Sequence, residues 1–395
     1  MRAAWLALFA FLSACTSAKL ETPPAIDPVS PLNSTQTPSA ALPENSEPPA
    51  GAAAQFSTDF SIHSVPYDQI LSGGPPKDGI PSIDDPKFES VAQADAWLDP
   101  EEPVIQVQVG AEARAYPIQI LMWHEIVNDE FNAIPLLVTF CPLCNTAIAF
   151  ERTLDGQVLD FGTTGRLRFS NLIMYDRQTE TWWQQANGEA IVGDLTGQHL
   201  TFYPALIVSW QDFRDAFPKG SVLSRDTGYA RYYGQNPYAG YDNINSSPFL
   251  FQGPITPDDL PPMTRVLTVE LNSEAVAFTY DVLKEEGVAN EAVGEKAIVV
   301  FWQPGVASPF TSSAIAGGNE VGAAAAFSRQ LGDRTLSFSV QNGRILDQDT
   351  GSAWNIFGFA ESGPLEGAQL EQVISINHFW FSWAAFMPDT RIYQP

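Results

Sequence analysis

The sequence of 395 residues predicts a β-rich α+β fold of two tandem homologous units that follow a disordered tether. Three observations lead to this prediction. Short runs rich in Val, Ile, Phe and Tyr, separated by Gly and Pro, are typical of strands. A set of residues recurs with the same spacing in both halves of the chain, which indicates an internal duplication. The segment before the first strands is rich in Pro and poor in large apolar residues.

The first 15 residues have the pattern of an export signal that ends at a lipid-modified cysteine. Arg2 precedes an apolar run over residues 3–12, which is too short for a bilayer span of roughly 20 residues. Cys15 follows Leu-Ser-Ala, a sequence similar to the bacterial lipobox, in which the thiol is acylated and the signal is cut before it. We therefore predict an extracytoplasmic cell-envelope protein, anchored to the membrane through Cys15. An ordinary signal peptide with an incidental cysteine is the alternative.

Residues 16–55 are predicted to be a disordered tether. Eight prolines lie among Ser, Thr, Ala and Glu, and large apolar side chains are nearly absent: Pro23, Pro24, Pro28, Pro31, Pro38, Pro43, Pro48 and Pro49. Such a segment cannot offset its ordering entropy by burial. It is expected to be semi-extended and to hold the body away from the membrane.

The charge of the chain argues against some classes of binding partner for the folded body, the residues that follow the tether. The net charge of −26 and the pI near 4.3 argue against nucleic acid, whose phosphates require a basic face, and against an anionic membrane surface. The simplest interpretation is an acidic surface that keeps an exported protein soluble. The body of about 340 residues is too long for one ordinary core, which favours two units.

The internal repeat sets the domain boundaries. Ten positions of residues 176–218 recur at nearly identical spacing in residues 347–388, with a difference of one residue after the first Trp: Asp176, Thr179, Trp183, Gly188, Gly193, Gly197, Leu200, Trp210, Phe213 and Pro218 correspond to Asp347, Thr350, Trp354, Gly358, Gly363, Gly367, Leu370, Trp380, Trp383 and Pro388. We predict a lead-in with unit 1 over residues 56–225, a connector over 226–263 and unit 2 over 264–395.

Residues shared by both units have structural explanations. Asp176 with Thr179, and Asp347 with Thr350, suit turns in which the side chains bond the backbone. The following Trp of each unit is expected to anchor its core. Apolar spacing of three and four predicts a short amphipathic helix near residues 210–217 and another near 380–386.

Three residues whose side chains are suited to catalysis or metal binding occur in unit 1 alone. The alignment places Cys141 opposite Trp302, Cys144 opposite Gly305 and His124 opposite Glu286. The stretch 161–176 is also six residues longer than 338–347. A feature that one copy lacks is not needed to build the fold, so unit 1 is predicted to hold the functional site.

The local sequence places the cysteines at a strand end. Residues 134–140 form an apolar, β-favouring run, and Cys141-Pro-Leu-Cys144 follows at once. Pro142 removes a donor and fixes φ, so the turn is expected to be stiff. His124 lies in a segment, residues 123–125, that is predicted to be helical.

Three interpretations of the cysteine pair remain open. In the first, one thiolate attacks a disulfide and the other resolves the intermediate, with His124 lowering the thiol pKa or moving a proton. In the second, two thiolates and the imidazole bind Cu or Zn, with Met174, Asp176 or water as fourth ligand. In the third, the pair is a structural disulfide in a binding or scaffold protein, without any cofactor. A redox or metal-delivery partner would accompany the first two.

The remaining basic residues are assigned simpler roles. Arg166, Arg168 and Arg177 would either bind an anionic group or pair with surface carboxylates, and pairing is favoured. His63, His199 and His378 show no partner pattern and are predicted to be structural. The patterns of common hydrolases and nucleotide-binding proteins do not occur.

Five stretches resemble the family called domain of unknown function 3179. They are GGPPKDGIP (73–81), WHEIVND (123–129), TFCPLCNTA (139–147), SNLIMYDR (170–177) and YGQNPY (233–238). The family often has Gly at the place of Asn145 and Ser at the place of Thr164. The resemblance implies a bacterial, often exported protein, and it implies no established activity.

Overall fold

The computed structural model describes residues 47–254 and 260–395. The predicted signal peptide, Cys15 and the tether up to residue 46 lie outside these ranges. Within them the chain forms twenty-nine strands and five short α-helices, which confirms the predicted β-rich class. None of these helices has the length and apolar character needed to cross a membrane.

The first half of the body carries sixteen strands. They are β1 (Ile70–Ser72), β2 (Phe88–Ser90), β3 (Pro103–Val109), β4 (Glu112–Pro117), β5 (Ile126–Phe131), β6 (Ile134–Cys141), β7 (Thr146–Glu151), β8 (Thr153–Leu154), β9 (Gln157–Val158), β10 (Phe161–Arg168), β11 (Asn171–Asp176), β12 (Trp182–Gln184), β13 (Ala190–Val192), β14 (Thr201–Tyr203), β15 (Ala205–Ser209) and β16 (Ser221–Leu223). The helices are α1 (Val91–Ala94), α2 (Ile118–His124) and α3 (Trp210–Ala216), with 3-10 turns at Tyr67–Gln69 and Pro142–Cys144.

The second half has thirteen strands. They are β17 (Arg265–Leu271), β18 (Glu274–Thr279), β19 (Val288–Val293), β20 (Lys296–Gln303), β21 (Ala323–Ser328), β22 (Gln330–Leu331), β23 (Arg334–Thr335), β24 (Phe338–Gln341), β25 (Arg344–Asp347), β26 (Ala353–Trp354), β27 (Ala360–Ser362), β28 (Ser375–Phe379) and β29 (Arg391–Ile392). The helices are α4 (Tyr280–Glu286) and α5 (Trp380–Ala384), with a 3-10 turn at Ile315–Gly317.

Elements follow one another in the same order in the two halves. The sheet β15-β3-β4-β16-β2 shares its first four positions with β28-β17-β18-β29, and the pairing of β16 with β4 and of β29 with β18 is parallel in both. The order β5-β6-β7 matches β19-β20-β21, and β10-β11-β12-β13 matches β24-β25-β26-β27. The predicted terminal helices are α3 and α5.

The two halves bury a common core. Strand β15 contacts β21 and β28, and β7 also contacts β28. The ring of Phe217 meets that of Phe357 edge to face, with centroids 5.0 Å apart. Because apolar residues of both halves belong to the same buried clusters, the halves stabilise each other by packing.

The end of the predicted tether belongs to the folded body. Ala52 is fully buried, and its amide donates to the carbonyl of Pro49 at 2.9 Å. The next aromatic residue, Phe56, packs edge to face on Tyr175 and Trp182. The prediction of a disordered segment is therefore wrong for residues 47–55. Small residues such as Ala52 fill a tertiary contact that local composition does not reveal.

The two Asp-Thr turns form as predicted and orient the core tryptophans. The amide of Thr179 donates to Asp176 Oδ1 and that of Thr350 to Asp347 Oδ1, each at 2.6 Å. The second carboxylate oxygen accepts from the indole Nε1 of the following Trp, at 2.9 Å for Trp183 and 3.1 Å for Trp354. Each turn thus fixes a buried indole.

We expect Thr179→Val and Thr350→Val each to lower the free energy of unfolding by about 2 kcal/mol, because each removes hydroxyl bonds to a buried carboxylate. Urea unfolding measures both changes. Thr335→Val, at an exposed position in β23, is the control and should shift stability by about 0.5 kcal/mol at most. A loss in one half with none in the other would show that the two turns are not equivalent.

Candidate functional site

The cysteine pair lies where β6 passes into β7. Cys141 ends β6 and pairs with Thr146 of β7, and the 3-10 turn between them carries Cys144. The turn closes through Asn145, which has φ 53° and ψ 38°. Glycine and asparagine adopt this left-handed conformation most readily, which accounts for the Asn at a place where the family often has Gly. The predicted strand end and turn are confirmed.

The turn brings the two sulfur atoms together in the interior. The Sγ atoms of Cys141 and Cys144 are 2.9 Å apart, and the residues are 2% and 0% exposed. Both are free thiols. Burial, the neighbouring Cys144 and the charge of Glu125 raise the pKa of the Cys141 thiol well above its usual value. The protonated dithiol is therefore the stable reduced form at neutral pH.

The long hairpin β10–β11 covers the sulfurs. Asn171 Nδ2 donates to Cys144 Sγ at 3.4 Å, and the carbonyl of Ser170 lies 3.5 Å from the same sulfur. Gln184 and Gln185 hold the Asn171 amide, through bonds of 2.6 and 2.8 Å. The six additional residues that the sequence places in this hairpin thus supply the contacts to the cysteine pair.

Both ring nitrogens of His124 bond residues other than the cysteines. Its Nδ1 lies 2.7 Å from the carbonyl oxygen of Pro81, which only accepts, so Nδ1 carries the proton. Its Nε2 then accepts from the hydroxyl of Tyr233, also at 2.7 Å. Burial lowers the pKa of the ring, which keeps it neutral. Both nitrogens are occupied, so the structure does not bring His124 to the sulfurs as the sequence predicts.

The described residues contain no group of three or more His, Cys, Asp or Glu side chains that is suited to a metal ion. Of the two protein groups considered as a fourth ligand, Asp176 bonds other residues, whereas Met174 lies in the apolar cluster of the cysteines. Asp176 accepts from Thr179 and Trp183, and Met174 is fully buried. The predicted metal set of Cys141, Cys144 and His124 is therefore not assembled in this arrangement.

Glu125 is the titratable neighbour of the thiols that sequence reasoning missed. It follows α2 with φ 59° and ψ −30°, and it is 8% exposed. A non-glycine residue in this conformation costs about 1–3 kcal/mol and persists only where surrounding structure fixes it. Burial alone raises the pKa of its carboxyl group to about 8, and no hydrogen bond from a described residue offsets that effect.

The equivalent place in the second half explains how Glu125 could have been found. There Gly287 follows α4 with φ 70°. The amide of Phe140 donates to the carbonyl of Glu125, and that of Trp302 donates to Gly287, at 2.8 and 2.9 Å. A strained glutamate thus stands where the other half has glycine, and this contrast is visible in the sequence next to His124 and Glu286.

These backbone bonds also correct the sequence alignment. Phe140 occupies the place of Trp302, so Cys141 corresponds to Gln303, one residue later than predicted. Residues 142–145 join β6 to β7, whereas residues 304–322 join β20 to β21. Cys144 therefore has no residue-for-residue partner, and its alignment with Gly305 was wrong. The hairpin register decides the pairing, which local similarity misjudged.

A cavity of about 580 Å³ lies beside the cysteine turn. Four segments enclose it: the lead-in, the cysteine turn with its approach, the β10–β11 hairpin and the connector. The lining residues from these segments are, in that order, Gly73, Pro75 and Ile80; Glu125 and Leu143; Thr163, Gly165, Arg166, Leu167 and Leu172; and Tyr238, Tyr241, Ser246, Ser247 and Phe249. The connector thus forms part of the site.

Arg166, Arg168 and Arg177 differ in their hydrogen-bond and ion-pair partners. Arg177 pairs with Asp78 at 3.0 Å and with Asp84 at 3.3 Å, as predicted. Arg168 donates to Gln69 at 2.9 Å, and burial lowers the pKa of its guanidinium to about 10. Arg166 is 7% exposed and donates to the carbonyl of Ala50 at 2.7 Å. Among the described residues no ion pair joins Arg166 to a carboxylate, so pairing does not hold for it, whereas the charge of Glu189 acts on Arg168 and partly offsets the effect of burial on its pKa.

Fold and site together define a β-rich protein with a buried dithiol beside an arginine- and glutamate-lined cavity. The chain belongs to the family described as protein of unknown function (DUF3179), whose profile matches residues 77–390. The match includes both halves and the cysteine turn, in agreement with the resemblance noted above. No curated protein and no solved structure matches the chain. Membership of this family implies no established activity.

Proposed function

We propose that the protein is a lipid-anchored, extracytoplasmic thiol–disulfide redox protein in which Cys141 and Cys144 alternate between dithiol and disulfide. The observation that carries the proposal is the 2.9 Å separation of two buried sulfur atoms beside the Glu125 carboxyl group, to which no described side chain is paired. A disulfide bond needs the sulfurs at about 2.05 Å, so its formation calls for a movement of less than about 1 Å.

Metal binding by the same pair has less support. Two Zn–S bonds of about 2.3 Å at a tetrahedral angle separate the sulfurs by roughly 3.8 Å. The turn would have to open to reach that separation, and His124 would have to leave Pro81 and Tyr233. Redox chemistry of the pair requires neither change.

The proposed reaction transfers two electrons from the dithiol to a substrate disulfide. One cysteine loses its proton, and its thiolate attacks a substrate sulfur, so the substrate S–S bond breaks and one substrate thiol leaves. The second cysteine then attacks the mixed disulfide, forms the Cys141–Cys144 bond and releases the second substrate thiol. Both protons lost by the cysteines end on the two released thiols. The reverse reaction oxidises a substrate dithiol.

Glu125 is the group proposed to accept the first proton. Burial raises its carboxyl pKa to about 8, so its carboxylate is a stronger base than that of an exposed glutamate and is better able to accept a thiol proton. Its charge acts on the Cys141 thiol, which places it near that sulfur. His124 then has a positioning role, since its bonds to Pro81 and Tyr233 tie α2 to the lead-in and the connector.

We infer further that the two halves arose by duplication and that the first half is the working copy. The common strand order and the matched Asp-Thr-Trp turns support this inference. The second half buttresses the site, because Ile376, Trp380 and Trp383 belong to the apolar cluster that contains both cysteines. The export signal and Cys15 support the membrane anchor and the oxidising compartment in which such a pair would function.

The proposal is tested by a reduction potential, measured on the full chain with Cys15→Ser so that only the pair is counted. We expect two titratable thiols after reduction, none after oxidation, and a potential between about −120 and −270 mV, the range of redox-active pairs. Cys141→Ser and Cys144→Ser should each abolish the transition. A metal-free disulfide with a potential below about −300 mV would favour a structural bridge in a scaffold protein. Stoichiometric metal that is lost in Cys141→Ser would favour the metal site.

A further inference from the structure

We propose that the cavity beside the cysteine turn binds a small organic acid with an apolar body, whose carboxylate pairs with Arg166. This inference goes beyond the redox function and does not depend on it, because neither sulfur lines the cavity. It rests on the placement of Arg166 and Glu125 and on the apolar walls between them.

A β-bulge places Arg166 in the cavity wall. The register between β10 and β11 shifts between Thr163 and Arg166, and Gly165 within the shift has φ 69°. A Cβ atom on Gly165 would lie 2.0 Å from the carbonyl oxygen of Pro75, so only glycine permits this approach of the lead-in. Bulges commonly re-aim a side chain next to a site. Here the hydroxyl of Thr164 also accepts from the Arg166 amide, at 2.9 Å.

Among the described residues, no carboxylate forms an ion pair with the Arg166 guanidinium. The chain has 46 acidic and 20 basic side chains, yet none of the described carboxylates lies within 4.0 Å of this buried cation. One Nη donates to Ala50, and a guanidinium has five N–H groups, so donors remain for a ligand. A buried charge without a partner is costly, whereas a bidentate carboxylate would satisfy both its charge and its donors.

Glu125 does not cancel this charge at neutral pH. Because burial raises its carboxyl pKa to about 8, the group is largely protonated at pH 7 and is able to donate a hydrogen bond to a ligand. The cavity therefore offers one positive charge and a neutral donor, which suits a monoanion. The same two groups would disfavour an organic cation.

The rest of the wall selects an apolar body. Pro75, Ile80, Leu143, Leu172 and Phe249 supply aliphatic and aromatic surface. The volume of about 580 Å³ falls within the range of roughly 300–1,000 Å³ that is usual for small-molecule sites. Inorganic phosphate would meet Arg166 but leave these apolar walls uncovered, so it is not the expected ligand.

The test compares three probes by isothermal titration calorimetry on the full chain: 4-phenylbutyrate, its neutral counterpart 4-phenylbutanol, and inorganic phosphate. We expect 4-phenylbutyrate to bind with one-to-one stoichiometry, at least about tenfold more tightly than the alcohol, since a charge-assisted bond contributes about 1.5–3 kcal/mol. Phosphate should give no measurable heat. Equal affinity of the acid and the alcohol, or no binding of either, would overturn the proposal.

Substitutions test whether Arg166 is responsible for the preference for the acid over the alcohol. Arg166→Gln should weaken 4-phenylbutyrate about tenfold and remove its advantage over the alcohol, whereas Arg166→Lys should retain part of that advantage. Arg334→Gln, an exposed arginine in β23, is the matched control and should bind as the parent does. Cys141→Ser should also bind normally, which separates this proposal from the redox function. Undiminished selectivity in a folded Arg166→Gln protein would refute the assignment.

Discussion

Glu125→Gln should raise the free energy of unfolding by roughly 3 kcal/mol at pH 7. The folded-state pKa of the Glu125 carboxyl group is about 8, above the 4.5 of an exposed glutamate. The folded protein therefore binds more protons than the unfolded chain between these values, and stability falls as pH rises through this window. Glutamine is neutral throughout and removes that loss. Urea unfolding at several pH values measures the difference.

The stabilisation by Glu125→Gln is expected to depend on pH. At pH 5 the gain from Glu125→Gln should be below about 1 kcal/mol, and it should grow up to pH 8. Glu286→Gln, at the exposed end of α4 in the second half, is the matched control and should alter stability by about 0.5 kcal/mol at most. A gain that is equal at pH 5 and pH 7 would mean that Glu125 does not titrate as stated. A stable variant with slowed thiol oxidation would identify Glu125 as a functional group kept at a cost in stability.

At pH 4 the protonation of His378 in the unfolded chain is expected to lower the free energy of unfolding by roughly 3 kcal/mol, and His378→Asn should remove this loss. The ring is fully buried, and burial lowers its pKa from 6.5 to about 3. Its Nδ1 lies 2.9 Å from Thr146 Oγ1, while Nε2 has no partner among the described residues. The unfolded chain binds the proton first as pH falls, so stability declines between about pH 6.5 and pH 3.

The measured quantity is the difference in stability between pH 7 and pH 4. Asparagine keeps a polar atom near the Nδ1 position and cannot become charged, so this difference should shrink by about 3 kcal/mol even if packing is weakened at both values. Ser382→Ala, which removes a neutral contact 3.3 Å from the same nitrogen, is the control and should shift both values alike. An unchanged difference in His378→Asn would place the acid sensitivity in other groups.

Local patterns predicted much of the framework. The continuous apolar run of residues 134–140 predicted β6, and the CPLC sequence predicted the turn at its end. The Asp-x-x-Thr patterns predicted the turns that fix Trp183 and Trp354. These features depend on contacts within a few residues, so their signals lie in short stretches of sequence. Local composition did not predict the packing of residues 47–55, because Ala50 is bonded by Arg166 of β10 and Ala52 lies in a buried cluster with residues of β11 and β12.

The structure brings the two predicted cysteines together but does not bring His124 to them. His124 attracted notice as a histidine without a counterpart, yet its ring bonds Pro81 and Tyr233. Its neighbour Glu125 is the group whose charge acts on Cys141. Adjacent residues at a helix end face different directions, and a change of φ at the cap decides which of them meets the thiols. Residue type and spacing alone do not contain that direction.

Local sequence patterns predict the β-rich class, the recurrence of one pattern in both halves and the position of the cysteine turn. Tertiary structure decided the register that pairs Cys141 with the place of Gln303, the burial that alters the Glu125 carboxyl group, and the cavity that Arg166 lines. The two kinds of feature differ in the distance along the chain between the residues that produce them. Turns and strand patterns arise from neighbouring residues, whereas burial and an unpaired charge are set by segments that meet only after the chain has folded.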